Sequence, residues 1–363
     1  MPYMPYMLTS APHMLTDSMT DTPASPITHG GNLHEAAGLY GIPYEAWLDL
    51  STGINPHGYP VPPVPADAWR RLPDDGDGFA ALAARYYGAP DASHVLPVAG
   101  SQAAIRALPA LLPRATAGIA PLTYSEYAPA FSRAGHEIAP LDATRAAPPD
   151  AITHAVIVNP NNPTADYASA NTLLEWHAQL SARGGTLLVD EAFADAMPAP
   201  SASLASFTAR PGLVVLRSPG KFFGLAGARA GFVLAAPALL DALRATLGAW
   251  TVNGPARHAV AAALADTAWQ CEMRARLAED GARLAALLHA QGLSVHATPL
   301  FAWSADTRAH ALHRALAQRG IWTRYFAQQA SVRVGLPATE DGWTRLELAL
   351  AQSVREIDTH ASR

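Results

Sequence analysis

The chain is predicted to be an α/β protein, with a mostly parallel sheet covered on both faces by helices and a smaller α+β domain after it. Three observations predict this. From about residue 94, short apolar runs alternate with amphipathic helical stretches, the pattern of parallel strands joined by crossover helices. Near residue 250 that rhythm gives way to long helices rich in Ala, Leu and Arg. And 363 residues are too many for one compact core, which points to roughly two domains.

The elements follow in order. "HVLPV" (94–98) reads as a strand and "AGSQAAIRALPALL" (99–112) as a turn and helix. "AGIAPL" (117–122) and "HEIAPL" (136–141) flank a helical segment beginning after Thr123. "HAVIVN" (154–159) is a buried strand, and "SANTLLEWHAQLSAR" (169–183) a helix capped by Ser or Asn. "GTLLVDEAF" (185–193), "GLVVLRS" (212–218) and "GARAGFVLA" (227–235) are further strands. Helices over 257–269 and 272–291 then precede "LSVHATPLFAWSA" (293–305), a helix, short strands near "IWTRYF" (321–326) and "SVRVGL" (331–336), and a closing helix over 342–354.

Composition narrows the function. A net charge of −5 and a pI near 6.3 argue against unassisted binding to nucleic acid or an anionic membrane surface. One cysteine, Cys271, excludes an internal disulfide framework and a Cys-rich zinc site, so no metal is expected. No apolar run is long enough to span a bilayer. Residues 1–28 are rich in Met, Pro, Ser and Thr and lack a basic stretch leading into an apolar core. They are expected to be a disordered tail and not a secretory signal, with a later translation start open and a cytoplasmic location following.

Of 25 lysines and arginines together, one, Lys221, is lysine. Arginine serves on any solvated surface, but only an ε-amine can be driven neutral by burial and act as nucleophile or base. A chain that has drifted to arginine elsewhere keeps lysine where a free amine is needed, and Ser218, Gly220, Gly224 and Gly227 around it suit close approach of a ligand. The competing reading is a leftover surface cation. In open parallel sheets ligands sit beyond the carboxyl ends of the strands. The polar residues there are Gly100, Ser101 and Gln102, Tyr124, residues 159–164, Asp190, and Ser218 to Lys221.

With "NPNNPTA" (159–165), "VDEAF" (189–193) and "SPGKFFGLAGARAGF" (218–232) in that order, the chain resembles the fold-type-I pyridoxal-phosphate enzymes of the class I/II aminotransferase group. The resemblance implies a seven-stranded, mostly parallel large domain over 61–248 and a small C-terminal domain over 249–363. It also implies an arm, 29–60, joining the small domain to the active site, and a homodimer with active sites near the interface. Pyridoxal 5'-phosphate would be held by Lys221 through its aldehyde. Asp190 would pair with the ring nitrogen and keep it protonated; otherwise it is a helix cap. Asn162 would bond the ring hydroxyl, or "PNNP" is only a turn. Tyr124 would stack on the ring, or lie in the core. Ser101 and Gln102 at a helix start, with Ser218 and Arg229, would bind the cofactor phosphate. Arg333 matches the arginine that clasps the substrate α-carboxylate.

Within the group the chain is similar to two branches, threonine-phosphate decarboxylases, which serve cobalamin biosynthesis, and histidinol-phosphate aminotransferases. "HGGN" (29–32) followed by a helix and "DLSTGINP" (49–56) resembles the decarboxylase branch. His29, Gly30 and Asn32, with Arg324, are the candidates for the substrate phosphate; the alternative is a turn with an N-cap. The substrate expected is a small phosphorylated amino acid, L-threonine O-3-phosphate. Phe193 stands where aminotransferase relatives commonly have Tyr, Gly220 where many have Ser, and Leu72 where relatives often have a tyrosine reaching the partner's cofactor. A pyridoxal-phosphate-sensing regulator is disfavoured, because no helix-turn-helix pattern or basic cluster precedes His29.

Overall fold

A computed structural model describes residues 29–143, 147–198 and 203–361. The expected tail, 1–28, lies outside the described residues. The arm begins with a helix, Leu33–Tyr40, and a two-residue strand, β1 (Leu48–Asp49). The strands β2 (Val95–Val98), β3 (Thr116–Ile119), β4 (Glu137–Pro140), β5 (His154–Val158), β6 (Thr186–Asp190), β7 (Leu213–Arg217) and β8 (Gly231–Ala235) then build one sheet of order β2-β8-β7-β6-β5-β3-β4. The pairs from β7 to β4 are parallel, and β8 runs antiparallel to both its neighbours. Six of the seven strands fall within the runs read from the sequence, and β3 begins one residue before its run, at Thr116.

The central strands are buried on both faces, which is why they read as continuous apolar runs. Alternate residues nonetheless go to different cores. Leu187, Val189, Val215, Phe232 and Leu234 join one cluster, while Leu188, Val214, Leu216, Val233 and Ala235 join another on the opposite face. The first cluster continues without a break into Phe301, Ala302, Leu336 and Leu350 of the C-terminal part. Truncating one of these leucines to alanine is worth about 2–5 kcal/mol. The covering helices show the matching 3.6-residue period. Ala170–Ala182 buries Leu173, Trp176, His177 and Leu180, and Ser169 caps it by accepting from the Thr172 N–H at 3.2 Å.

The C-terminal part holds β9 (His296–Thr298), β10 (Phe301–Ala305), β11 (Ile321–Trp322), β12 (Arg324–Phe326) and β13 (Ser331–Gly335). Its antiparallel sheet has the order β12-β13-β10-β9. Two details differ from the sequence reading. The helix expected over 257–269 is interrupted, because the Asp266 side chain accepts from Trp269 N–H at 3.0 Å and caps a new helix, Thr267–His289. "IWTRYF" splits: β11 leaves the small sheet and pairs in parallel with β1, while β12 stays in it. Among the described residues no helix is long and apolar enough to cross a membrane.

Candidate active site

The carboxyl ends of β2, β5, β6 and β7 open on one cavity. Because β8 runs the other way, it is the start of β8 that reaches the same edge, and this brings in Arg229 and Ala230. Gly100, Ser101, Gln102, Tyr124, Asn162, Asp190, Phe193, Ser218, Lys221 and Arg229 all line the space. All eight expected cofactor-contacting residues therefore meet in one place, drawn from separate segments.

Lys221 sits on a four-residue helix, Pro219–Phe222, entered through Ser218. Its side chain is half-buried and opens on the cavity, with Nζ 5.7 Å from the centre of the Phe193 ring. Burial, then repulsion from Arg333 and Arg229, pushes its ammonium down to about 8, against the pull of Asp190. Across the cavity, Asp190 is 3% exposed. Its Oδ2 accepts from the Tyr127 hydroxyl at 2.7 Å and its Oδ1 from the Ala192 N–H at 3.0 Å. Burial raises its pKa, opposed by those hydrogen bonds and by Lys221. No cation forms an ion pair with it among the described residues, so it is a buried carboxylate aimed where a ring N–H⁺ would complete it.

The other end of the cavity is rich in donors. Ser218 Oγ lies 3.0 Å from Ser101 Oγ. Arg229 takes the left-handed conformation, φ 53°, uncommon for a side chain of this size, and its guanidinium lies against Gly100. Gly100 has φ 73°, and a Cβ there would stand 3.0 Å from Arg229 Nη2, so glycine is required both by the turn and by the guanidinium. Two hydroxyls, a guanidinium and a helix start suit a phosphate, and the opposite carboxylate suits a protonated ring nitrogen. The donor set fits pyridoxal phosphate, with Lys221 between to take its aldehyde. Tyr124 presents its ring to this space, and its hydroxyl donates to Gln102 Oε1 at 3.0 Å; burial, then Glu126 and Asp190, raise it to about 12. That bond fixes Gln102 by its side chain, where the sequence reading invoked only its backbone.

Asn162 and Arg333 meet each other. Arg333 Nη1 donates to Asn162 Oδ1 and Nη2 to the Ser51 carbonyl, at 2.5 Å for the latter. With its oxygen engaged, the Asn162 carboxamide offers its –NH₂ as the remaining donor. Arg333 is 6% exposed, its Nε has no partner among the described residues, and burial, followed by repulsion from Arg324, lowers it to about 10. Arg324 is its direct cross-strand partner in the β12–β13 pair.

The "HGGN" residues lie beside this group. His29 Nε2 is 3.0 Å from Glu126 Oε1, and its ring is 6.2 Å from that of Tyr124. Gly30 packs on the Ser51 carbonyl, with no room for a Cβ. The Gly31 N–H is already engaged by Ser51 Oγ at 2.7 Å, and Ser51 donates on to Asp49 at 2.6 Å. Asn32 precedes the helix but makes no capping bond; its amide donates to Glu35 at 2.8 Å. The departures from the family pattern have local reasons. A Cβ on Gly220 would lie 2.9 Å from Ala226 Cα, so serine does not fit. Phe193 is a core residue, edge-on to Phe301 at 5.0 Å. Leu72 is 66% exposed.

Sequence reasoning missed Tyr127, Glu126 and Ser51. Tyr127 is fully buried against Asp190. A second tyrosine three residues after Tyr124, at the start of the helix Tyr127–Arg133, was the available signal, since a buried carboxylate needs a donor.

A strand-end cavity with an amine, a buried carboxylate and an end rich in hydrogen-bond donors fits a pyridoxal-phosphate enzyme of the aminotransferase fold. The sequence profile of the family "aminotransferase class I and II" matches residues 77–350, and the chain belongs to that family. It is 49% identical over 326 residues to a threonine-phosphate decarboxylase of Pseudomonas aeruginosa, covering 89% of this chain and 97% of the relative. A threonine-phosphate decarboxylase of Sinorhizobium sp is 42% identical over 341 residues, covering 91% and 99%. In fold the chain is similar to histidinol-phosphate aminotransferase from Sinorhizobium meliloti in complex with pyridoxal-5'-phosphate, at a TM-score of 0.77, 18% identity and coverage of 94% and 99%.

Proposed function

We propose that the chain is a pyridoxal-phosphate-dependent carboxy-lyase that converts L-threonine O-3-phosphate to (R)-1-amino-2-propanol O-2-phosphate and CO₂ for cobalamin biosynthesis. The observation that carries this reading is the likeness to two threonine-phosphate decarboxylases at 49% and 42% identity, and an arginine pair in the site agrees with it. Directly opposed residues of an antiparallel pair share a face, and like charges there repel. Arg324 beside Arg333, already within the fields of Glu35 and Asp49 respectively, therefore suits a ligand with two anionic groups. Threonine phosphate brings a carboxylate and a phosphate on one molecule. In the aminotransferase reading histidinol phosphate brings a phosphate alone, and the two carboxylates come with 2-oxoglutarate, so the relatives separate the two readings.

When bound, the cofactor supplies an electron sink for the pair left at Cα. The rest falls to the protein. Arg333, a rigid fork held by Asn162 and Ser51, takes the α-carboxylate. Arg324, with the His29–Asn32 turn and arm, takes the phosphate. Two fixed points leave the substrate one orientation, and holding the Cα–carboxylate bond perpendicular to the cofactor plane selects its cleavage over that of Cα–H. As CO₂ leaves with its carbon's bonding pair left behind, Lys221 delivers a proton to Cα, so one bond breaks, one forms and one proton is consumed. An amine near 8 holds and releases that proton close to neutral pH.

The reading includes a homodimer in the cytoplasm. Trp69 and Trp250, 70% and 59% exposed, are large apolar groups that an interface would cover, and sedimentation equilibrium checks this. The reaction is tested by incubating purified protein with L-threonine O-3-phosphate and assaying CO₂ and the amino alcohol phosphate. Transamination of histidinol phosphate with 2-oxoglutarate, without CO₂ release, would overturn the assignment.

A further inference from the structure

The helix that carries Lys221 is only four residues long, and the turn after it meets its carbonyls only in part, with Phe223 N–H reaching Pro219 at 3.0 Å and Gly224 N–H reaching Lys221 at 3.3 Å. The arm completes them. Asn55 N–H donates to the Lys221 carbonyl at 3.0 Å and Tyr59 N–H to the Phe223 carbonyl at 2.9 Å. Between them Asn55 Nδ2 donates to the Phe222 carbonyl at 2.8 Å, across 167 residues of sequence. Asn55 thus holds two successive carbonyls, one with its backbone and one with its side chain.

The amide cannot turn away. Its Oδ1 accepts from His57 N–H at 2.8 Å, and His57 Nε2 lies 3.1 Å from Asp280 Oδ2 on the helix Thr267–His289. Asn55 itself is 2% exposed. The two backbones touch: a Cβ on Gly224 would lie 2.6 Å from Gly58 Cα and 2.8 Å from the Asn55 carbonyl. Four residues before Asn55, the Ser51 carbonyl accepts from Arg333, so one short stretch of arm touches both the amine's turn and the substrate-side arginine.

We propose that Asn55 is a positioning residue for Lys221: its backbone and carboxamide fix the lysine's turn, so the N-terminal arm sets where the amine stands in the cavity. The proposal rests on Lys221 being the reactive amine. A turn held only from its N-terminal side would let the amine drift, and a misplacement of about 1 Å at a reacting group costs as much as about 10²-fold in rate.

Lys221 is the only lysine, so reductive ¹³C-methylation of the apoprotein gives one dimethyl-lysine NMR signal beside that of the terminal amine. Its titration midpoint reports the amine's surroundings without cofactor or turnover. Asn55→Ala is expected to raise that midpoint by about one unit toward the ordinary lysine value. With cofactor, kcat for threonine phosphate is expected to fall by about tenfold or more with KM changed by less than about twofold. Asn55→Asp, which keeps the acceptor for His57 but sets a carboxylate oxygen against the Phe222 carbonyl, should move both in the same direction. Gly224→Ala, which wedges the same contact from the other side, should do so as well. A folded Asn55 variant that loses thermal stability alone, with midpoint and kcat unchanged, overturns the proposal. Should the variants fail to fold, amide hydrogen exchange of the wild-type chain decides: Asn55 and Tyr59 amides should exchange as slowly as those of β6, and loop-like exchange overturns the proposal. If wild-type protein releases no CO₂, the functional reading fails, while the midpoint of the apoprotein still tests Asn55.

Discussion

Two clusters of buried charge sit at the same edge of the large sheet, Glu191 directly after Asp190 of β6 and Lys221 four residues after Arg217 of β7, and they are balanced differently. Glu191 and Asp195 both accept from Arg217. Glu191 also accepts from Ser203 Oγ at 2.7 Å and Leu204 N–H at 2.8 Å, and the guanidinium stacks 4.5 Å from the Tyr87 ring centre. Its charges are paired within the protein, although Asp195 Oδ2 and Arg217 Nε have no hydrogen-bond partner among the described residues. Asp190 and Lys221, by contrast, face a cavity, and each is held by neutral groups or repelled by like charge: burial lifts the carboxyl and lowers the ammonium. Charge paired with charge inside the protein makes structure; charge left for a ligand to pair makes a site.

Substitutions sharpen or break that contrast. The largest effect is expected from Lys221→Ala, which should lose the cofactor's visible absorbance and lower decarboxylation on the order of 10³-fold or more, with the fold kept by circular dichroism. Asp190→Asn keeps the shape but removes the charge for the ring nitrogen, and kcat should fall on the order of 10²-fold. Arg217→Met tests the paired cluster. It leaves two buried carboxylates uncompensated, so urea unfolding should show a loss of about 3–5 kcal/mol; a variant that lost activity but no stability would erase the distinction between the clusters. Tyr127→Phe removes one donor from Asp190, at a cost of about 0.5–1.5 kcal/mol read as a several-fold fall in kcat.

A further effect is one of pH. Lys221 lies below its unfolded value of 10.5, at about 8 in the folded chain, because burial penalises the charged form. That penalty is fully present below about pH 8 and is relieved as pH rises from about 8 to 10.5, where the unfolded chain still binds the proton that the folded one has released. Lys221→Met should therefore raise the apoprotein's Tm below pH 8, with the gain shrinking above it. A gain that did not vary with pH would show that the amine's charge is not what strains the site.

Much of this was legible in the residues themselves. Strands announced themselves as apolar runs because a two-faced parallel sheet has no polar face to hide them, and the solitary Lys221 stood out because arginine had replaced lysine everywhere else. The motifs around Asn162, Asp190 and Lys221 carried the cofactor site as well. Tyr127 offered only its spacing from Tyr124 as a signal, because a tyrosine in a helix reads alike whether it fills a core or bonds a carboxylate. Glu126 and Ser51 were hidden for a related reason: their partners, His29 and Arg333, lie 97 and 282 residues away.

The sequence by itself thus determined the order of strands and helices, the need for an amine at position 221, and the family, because each of these depends on residue type and local spacing. Only the tertiary structure decided that β8 reverses to deliver Arg229, that Arg324 stands across from Arg333, and that the arm closes over the lysine's turn. Those are contacts between segments far apart in the chain, fixed by which backbone groups and charges must find partners once the water has gone.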